Sequence, residues 1–320
     1  MTKSKTFWVV TLVICLLAFT MVVVAKPSGG QVLHVPRDYS TIQAAVNAAA
    51  AGDTIQVKAG VYNEKVVVST SAVRLHATSG VVLDGAGLSG IGILVRGASV
   101  ASPVNDVEVS GFEVRNFERG IIVQWAVNVR VHHNEVHQNV DKLPPLVLGD
   151  AAGIELITTH LSEVSNNFVH DNGAGGIQLR VGSTQNTIRA NRVYGNGTQV
   201  ATNMGAVGIL LTGLGTNDNR VLENDVIGNY GRGIMLARPS GTAPITGNLV
   251  AQNRAHDNQR SGIAIMSAAI DNFVLQNDAR WNNISGLPPC YRCNLFDLSI
   301  GTNVWERNLG TFNLTDACAP

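Results

Sequence analysis

The chain has 320 residues with 23 basic and 23 acidic side chains, so its formal net charge at pH 7 is zero. This balance argues against a basic surface for nucleic acid or for an anionic membrane. The informative patterns lie along the chain: an apolar start, a short helix, a long set of repeats and a tail that contains cysteines.

Residues 1–25 contain, in the same order, the three regions of a secretory signal peptide. Lys3 and Lys5 precede an apolar run that begins at Phe7, and Ala25 stands at the expected cleavage position. The run is about 18 residues long and therefore approaches the length that spans a membrane, so an uncleaved anchor is the alternative. We expect a secreted or extracytoplasmic protein, attached to a membrane only if this segment remains.

The segment that follows predicts a short amphipathic helix over residues 41–50. Ile42, Ala45 and Val46 have the spacing of one helical face, and Ser40 or Thr41 can cap its N-terminus.

Two short sequence motifs, called here the Asn phrase and the Gly-Ile phrase, recur through most of the remaining chain. Pairs of asparagines five residues apart are Asn134/Asn139, Asn167/Asn172, Asn191/Asn196, Asn224/Asn229, Asn253/Asn258 and Asn277/Asn282. Between them stand Gly92-Ile93, Gly120-Ile121, Gly153-Ile154, Gly176-Ile177, Gly208-Ile209, Gly233-Ile234 and Gly262-Ile263. A repeat of this length marks a repeat architecture, and short runs of β-branched residues without a 3.6-residue period favour strands. The pattern predicts an all-β solenoid with one repeat per coil.

The asparagines are expected to do two things in such a solenoid. Asn tolerates positive φ, so it can make the turns between strands. Coils stack about 4.8 Å apart, so equivalent asparagines can bond to one another in a ladder. In the Gly-Ile phrase we expect Gly at the corner and Ile at the start of an inward-facing pair.

The repeats and the entry segment, Tyr39–Val46 followed by Ala51–Glu64, resemble the right-handed parallel β-helix superfamily. That superfamily includes pectate lyases, pectinesterases, polygalacturonases and alginate epimerases. The resemblance is closest to its members with short Asn-containing repeats. It implies a single-stranded right-handed parallel β-helix over residues 31–320, with the 41–50 helix covering the open N-terminal end.

The catalytic motifs of those enzymes are absent from this chain. The Asp-Phe-Ile-Phe-Gly segment of pectinesterases, the Gly-His-Gly of polygalacturonases and the Asp-Pro-His-Asp of alginate epimerases do not occur. The resemblance therefore implies a fold and a sugar-related ligand, and it transfers no catalytic residue.

A candidate site follows from aligning the repeats in columns. Inserts at 140–152 and 197–207 are predicted to wall a groove, since inserts in solenoids cluster on one face. The candidate catalytic residues are Glu155, His170 and Asp171, and the candidate substrate-binding residues are Gln178, Arg180 and Asp150. Carboxyl and imidazole groups can exchange protons with a sugar, and Arg can hold a uronate carboxylate. The alternative is that these residues only cover the solenoid, with His137 and His170 stacked on each other.

The other outward positions of the same column are apolar, at Ile122, Leu210 and Met235. Either loops cover them or they form a contact surface. Because Met235 points away from the core in this pattern, we expect Met235→Asp to be tolerated while Ile234→Asp is not.

Three functions are compatible with the pattern. The first is a secreted protein that binds, and in one version cleaves or epimerises, a polysaccharide. The second is a non-catalytic structural or adhesive surface protein. The third is periplasmic metal handling, because some short-repeat β-helix proteins accompany copper enzymes. No metal ligand is assigned, since His132 and His133 would point to opposite faces of a strand. No cofactor is predicted; a bound cation such as calcium is left open.

The tail, residues 288–320, contains three cysteines. In an exported chain we expect a disulfide that ties Cys318 to Cys293, with Cys290 as the alternative partner. A metal site at the Cys290/Cys293 pair would need two further ligands nearby, and Tyr291 and Arg292 supply none.

Overall fold

The computed structural model describes residues 30–142, 151–199, 206–237, 244–282, 294–299 and 302–313. The N-terminal apolar segment, Asp150 and all four cysteines lie outside these residues. The signal peptide and the disulfide therefore stay predictions. Within the described residues, no helix combines the length and the apolar character needed to cross a membrane.

The secondary structure is almost entirely short strands. The first part contains β1 (Val32–Val35), α1 (Ile42–Ala48), β2 (Thr54–Val57), β3 (Gly60–Tyr62), β4 (Val66–Val68), β5 (Arg74–Ala77), β6 (Val81–Asp84), β7 (Ile91–Arg96), β8 (Val104–Asn105), β9 (Glu108–Ser110) and β10 (Glu113–Arg115). The middle part contains β11 (Arg119–Val127), β12 (Arg130–His132), β13 (Glu135–His137), β14 (Ile154–His160), β15 (Glu163–Ser165), β16 (Phe168–His170), β17 (Ile177–Arg180), β18 (Thr187–Arg189), β19 (Arg192–Tyr194) and β20 (Val207–Thr212). The last part contains β21 (Arg220–Leu222), β22 (Asp225–Ile227), β23 (Arg232–Ala237), β24 (Leu249–Ala251), β25 (Arg254–His256), β26 (Ile263–Ile265), β27 (Phe273–Leu275), β28 (Leu295–Asp297), β29 (Val304–Glu306) and β30 (Phe312–Asn313).

The strands form three parallel sheets that run the length of the coil stack. Sheet A has the order β1-β2-β5-β9-β12-β15-β18-β21-β24-β27-β29. Sheet B has the order β3-β6-β10-β13-β16-β19-β22-β25, and sheet C the order β4-β7-β11-β14-β17-β20-β23-β26-β28-β30. Each of the inner coils contributes one strand to each sheet in turn. Among the described residues, sheet B has only eight strands because the coils at the two ends contribute none to it, and β8 pairs with β11 beside sheet C. Every strand pair is parallel, as in β12 with β15 or β14 with β17. The predicted parallel β-helix is confirmed.

Inward side chains stack in columns from coil to coil. On sheet A, for example, Val131 lies beside Val164 and Val164 beside Ile188, and none of the three is more than 1% exposed. The Gly-Ile phrase behaves in the same way, since Ile121 and Ile154 are fully buried neighbours on sheet C. Apolar burial along these columns produces one continuous core, which is the main stabilising term of the fold.

The glycine of the Gly-Ile phrase is required by close packing. At Gly120 a Cβ atom would lie 2.4 Å from the Gly153 carbonyl oxygen and 2.4 Å from Val136 Cγ1. Neighbouring coils approach so closely at this corner that a side chain does not fit.

The asparagines form three ladders of buried side chains, one at each corner of the coil. The A–B ladder consists of Asn134, Asn167, Asn191, Asn224, Asn253, Asn277 and Asn308. The B–C ladder consists of Asn139, Asn172, Asn196, Asn229, Asn258, Asn282 and Asn294. A third ladder, the C–A ladder, consists of Asn186, Asn219, Asn248, Asn272 and Asn303. In each one, Nδ2 donates to Oδ1 of the next asparagine.

The prediction that the asparagines themselves adopt positive φ is wrong. The left-handed residue is the one before most ladder positions, such as His133 (φ 54°), Gln138 (φ 54°) and Asp171 (φ 52°). Because the backbone turns at that residue, the asparagine side chain points into the stack, where its amide satisfies buried backbone groups.

The N-terminal helix lies where the sequence predicts it, although it is shorter. Helix α1 packs on β1, β2 and β4, and Thr41 caps it by accepting a bond from the Ala44 amide. The Glu64 carboxylate accepts two further bonds, from the amides of Ile42 and Gln43. Three of the backbone N–H groups that have no partner within the helix, at its N-terminus, therefore have hydrogen-bond acceptors.

The outer face of sheet C is covered from β11 onward, whereas Val67 on β4 is 42% exposed. Ile122 is 2% exposed, Leu210 6% and Met235 1%, and Leu210 and Met235 belong to a second apolar cluster outside the coil. The expectation that Met235→Asp is tolerated is therefore wrong, because alternation places Met235 away from the core but not in solvent.

Candidate functional site

The predicted floor residues Glu155, Gln178 and Arg180 come together on sheet C. Glu155 on β14 lies beside Gln178 on β17, and Arg180 is two residues further along the same strand. Arg180 Nη1 donates to Glu155 Oε1 at 2.8 Å. Glu155 is 1% exposed, so its carboxylate is removed from water and held by a guanidinium.

A second arginine, which the sequence reading missed, completes this group. Arg119 Nη1 lies 3.7 Å from Glu155 Oε2. Arg119 precedes Gly120 and lies three residues before Ile122, the residue of this coil in the aligned outward column. The side chains of Arg119 and Arg180 are 29% and 34% exposed, so they are the parts of this cluster that face solvent.

His170 and Asp171 lie elsewhere. His170 ends β16 on sheet B, and its Nδ1 is 2.8 Å from Asp171 Oδ2 and its Nε2 3.2 Å from Glu135 Oε1. The structure therefore divides the candidate catalytic residues between two sheets. The inserts expected to wall the groove fall largely on residues 143–150 and 200–205, outside the described residues.

The rings on sheet B form a stack. His137 and His170 have centroids 4.8 Å apart at 3°, and His170 and Tyr194 are 4.6 Å apart at 6°. Burial raises the pKa of Tyr194, and the nearby carboxylates of Asp171 and Glu135 add to that shift. His137 and His170 therefore stack on each other, as the alternative interpretation of the sequence predicts.

A second group of histidines lies where β12 ends, at the turn between sheets A and B. His132 Nδ1 is 2.8 Å from His133 Nδ1, with the two rings at 86°. The expectation that these side chains point to opposite faces is wrong, because strand alternation ends at His132. His133 has φ 54°, which turns its side chain back toward its neighbour.

The second ring nitrogen of His132, Nε2, also has a hydrogen-bond partner. Its Nε2 lies 3.2 Å from Glu108 Oε1, and the same carboxylate accepts a bond from Arg130. His133 is exposed and lines a cleft of about 310 Å³ together with Glu113, Glu135 and Phe168. In the described part of the chain, no three His, Cys, Asp or Glu side chains converge in the manner of a complete metal site.

A comparison with protein families finds a match over most of the chain. The family model described as periplasmic copper-binding protein (NosD) matches residues 46–286, which contain most of the coils. No curated protein sequence matches the chain significantly.

Solved structures with the same architecture are numerous but distant in sequence. A protein described as Geobacillus virus E2 ORF18 has a TM-score of 0.55 and 12% identity, with 87% of this chain and 61% of that chain covered. The periplasmic alginate epimerase AlgG has a TM-score of 0.54 and 15% identity, with coverage of 80% and 62%. The A-module of the Azotobacter vinelandii mannuronan C-5 epimerase AlgE4 has a TM-score of 0.50 and 16% identity, with coverage of 86% and 92%.

The chain thus spans about three fifths of the first two proteins. At these identities the likeness shows the fold alone, the right-handed parallel β-helix, as the sequence resemblance predicts.

Proposed function

The chain belongs to the NosD family, and from that membership we propose that it is an extracytoplasmic β-helix protein that binds copper ions. The observation that carries the proposal is the extent of the match, residues 46–286. The matched residues contain seven histidines: His76, His132, His133, His137, His160, His170 and His256. Imidazole is a ligand that suits copper. The apolar N-terminal segment supports export to the compartment that the family description names.

We expect the mature protein to bind copper with a defined stoichiometry. The protein should be purified without a polyhistidine tag, from residue 26 onward, and titrated with Cu(II) and with Zn(II) against a chelator of known affinity. Because Cu(II) binds nitrogen sites more tightly than Zn(II), its Kd should be lower by roughly a factor of ten or more. Binding of Cu(II) no tighter than to a heat-unfolded sample would contradict a folded copper site.

A second candidate, binding of an acidic polysaccharide, is favoured by one observation. Arg119 and Arg180 present partly exposed guanidinium groups on the same sheet, and guanidinium pairs well with the carboxylates of uronates. The environment of Glu155 supports binding more than catalysis. A proton donor must reach the substrate, whereas this carboxylate is buried and already paired with Arg180.

Arg180→Ala is expected to weaken binding of a polyuronate about three- to tenfold at low salt, and less at high salt because the contact is between charges. The measurement is isothermal titration with polyuronate at two salt concentrations. The matched control is Arg220→Ala, an exposed arginine on sheet A. Equal losses in both variants would contradict a site on sheet C.

The same samples distinguish binding from chemistry. New reducing or unsaturated ends that form with the native protein and not with Glu155→Gln would support an enzyme. If the native protein shows no turnover and binds neither copper nor polysaccharide, the structural or adhesive role is favoured.

A further inference from the structure

We propose that His132 and His133 form a two-nitrogen Cu(II) site at the turn between sheets A and B that follows β12; this inference rests on the proposed copper function. The two Nδ1 atoms are 2.8 Å apart. With metal–imidazole bonds of about 2.0 Å, nitrogens at that separation subtend an angle of roughly 90° at the ion. This is the angle between neighbouring ligands of tetragonal Cu(II), whereas a tetrahedral Zn(II) site needs nitrogens about 3.3 Å apart.

The Glu108 carboxylate prepares His132 for this role. It lies 3.2 Å from His132 Nε2, so it favours the tautomer that carries the proton on Nε2. His132 Nδ1 then accepts the 2.8 Å hydrogen bond from His133 Nδ1–H. The ion would take the place of that proton between the two nitrogens, and the proton would move to His133 Nε2. Carboxylates that hold the second nitrogen of a metal-binding imidazole are a common part of metal sites, because they set the ring's tautomer and orientation. Glu108 is itself positioned by Arg130 and lies 3.8 Å from Arg74.

The turn does not require a histidine at position 133. The equivalent position before each asparagine of the A–B ladder is left-handed in all seven coils of that ladder, with different residues: His133, Asn166, Ala190, Glu223, Gln252, Gln276 and Arg307. Since alanine serves at one of them, the imidazole of His133 is explained by what it binds and not by the conformation of the backbone.

The site leaves room for other ligands of the ion. His133 is exposed and borders the cleft of about 310 Å³, and the residues that line this cleft include Glu113, Glu135 and Phe168. The lining contains neither Cys nor Met. Two imidazoles without a soft sulfur donor favour Cu(II) over Cu(I). The remaining positions of a four-coordinate ion face solvent, where water or a ligand from another molecule can occupy them.

The test is electron paramagnetic resonance and chelator competition on the tag-free mature protein with one equivalent of Cu(II). The native protein should give a tetragonal spectrum with nitrogen hyperfine structure from two imidazoles. His132→Ala and His133→Ala should each raise the Kd about 100-fold and reduce the nitrogen pattern. His34→Ala, which changes a histidine on β1 outside the matched residues 46–286, is the control and should leave both unchanged.

Folding is checked by the Tm of each variant. His133→Ala should keep the native Tm, because Ala190 occupies the same left-handed position with φ 52°. Glu108→Gln tests the positioning role: the Kd should rise about tenfold and the copper hyperfine splitting should shift, since the ring is then less firmly oriented.

The outcomes separate the two proposals. Absence of copper binding by the native protein would overturn both the proposed function and this site. Native affinity and an unchanged spectrum in the double variant of His132 and His133 would overturn this site and leave the copper function standing.

Discussion

Aspartate in place of Ile234 is expected to lower the free energy of unfolding by about 4 kcal/mol or more. Ile234 is fully buried between Ile209 and Ile263 of the neighbouring coils. A carboxylate there meets only apolar side chains above and below, so it has no partner for its charge. Urea denaturation of the variant and the native protein, compared through the midpoint and the m-value, measures the loss.

Two further variants test the surroundings. Met235→Asp should also be destabilising, because Met235 is packed in the apolar cluster outside sheet C. Phe168→Asp is the control, since Phe168 points out of sheet B and is 50% exposed. If Phe168→Asp lost as much stability as Ile234→Asp, the inward and outward assignment of the strands would be wrong.

Alanine in place of Asn229 is expected to lower the free energy of unfolding by about 3 kcal/mol, because it interrupts the B–C ladder in its middle. Asn229 Oδ1 accepts bonds from the backbone amide of Asn196 at 3.1 Å and from Asn196 Nδ2 at 3.0 Å. Its own Nδ2 donates to Asn258 Oδ1 at 2.9 Å and to the Val193 carbonyl at 3.2 Å. The variant leaves the Asn196 amide buried without an acceptor, at about 1–3 kcal/mol for each such group.

The measurement is again chemical denaturation, together with amide hydrogen exchange at Asn196, which should become faster. Asn47→Ala is the control, because Asn47 is exposed on helix α1 and belongs to none of the three ladders. Unchanged exchange at Asn196 in the Asn229 variant would contradict the ladder's role in satisfying the backbone.

The repeat pattern was sufficient to predict the fold because burial in a β-helix repeats with each coil. The Gly-Ile and Asn phrases identify two corners directly. The third, at Asn186, Asn219 and Asn248, was missed although the same spacing of five leads back to it from Asn191, Asn224 and Asn253.

The site was harder to predict, since it depends on local geometry that a repeating pattern averages out. Glu155 and Arg180 were grouped correctly because they fall on neighbouring strands in register. Arg119 was missed because its long side chain reaches the cluster from outside the aligned column. For His132 and His133 the rule of alternation failed, because it holds within a strand and His133 is already in the turn.

The ladders also give the protein a net dipole along the axis of the β-helix. In every ladder each Nδ2–H points toward the next, more C-terminal coil, and each Oδ1 toward the preceding one, as in Asn134, Asn167 and Asn191. The side-chain amide dipoles therefore add along the axis, whereas the strands of a sheet have only a small net dipole. Successive amides polarise one another in such a chain of bonds. The coil stack is thus a polar rod whose interior is positive toward its C-terminal end and negative toward the end that helix α1 covers.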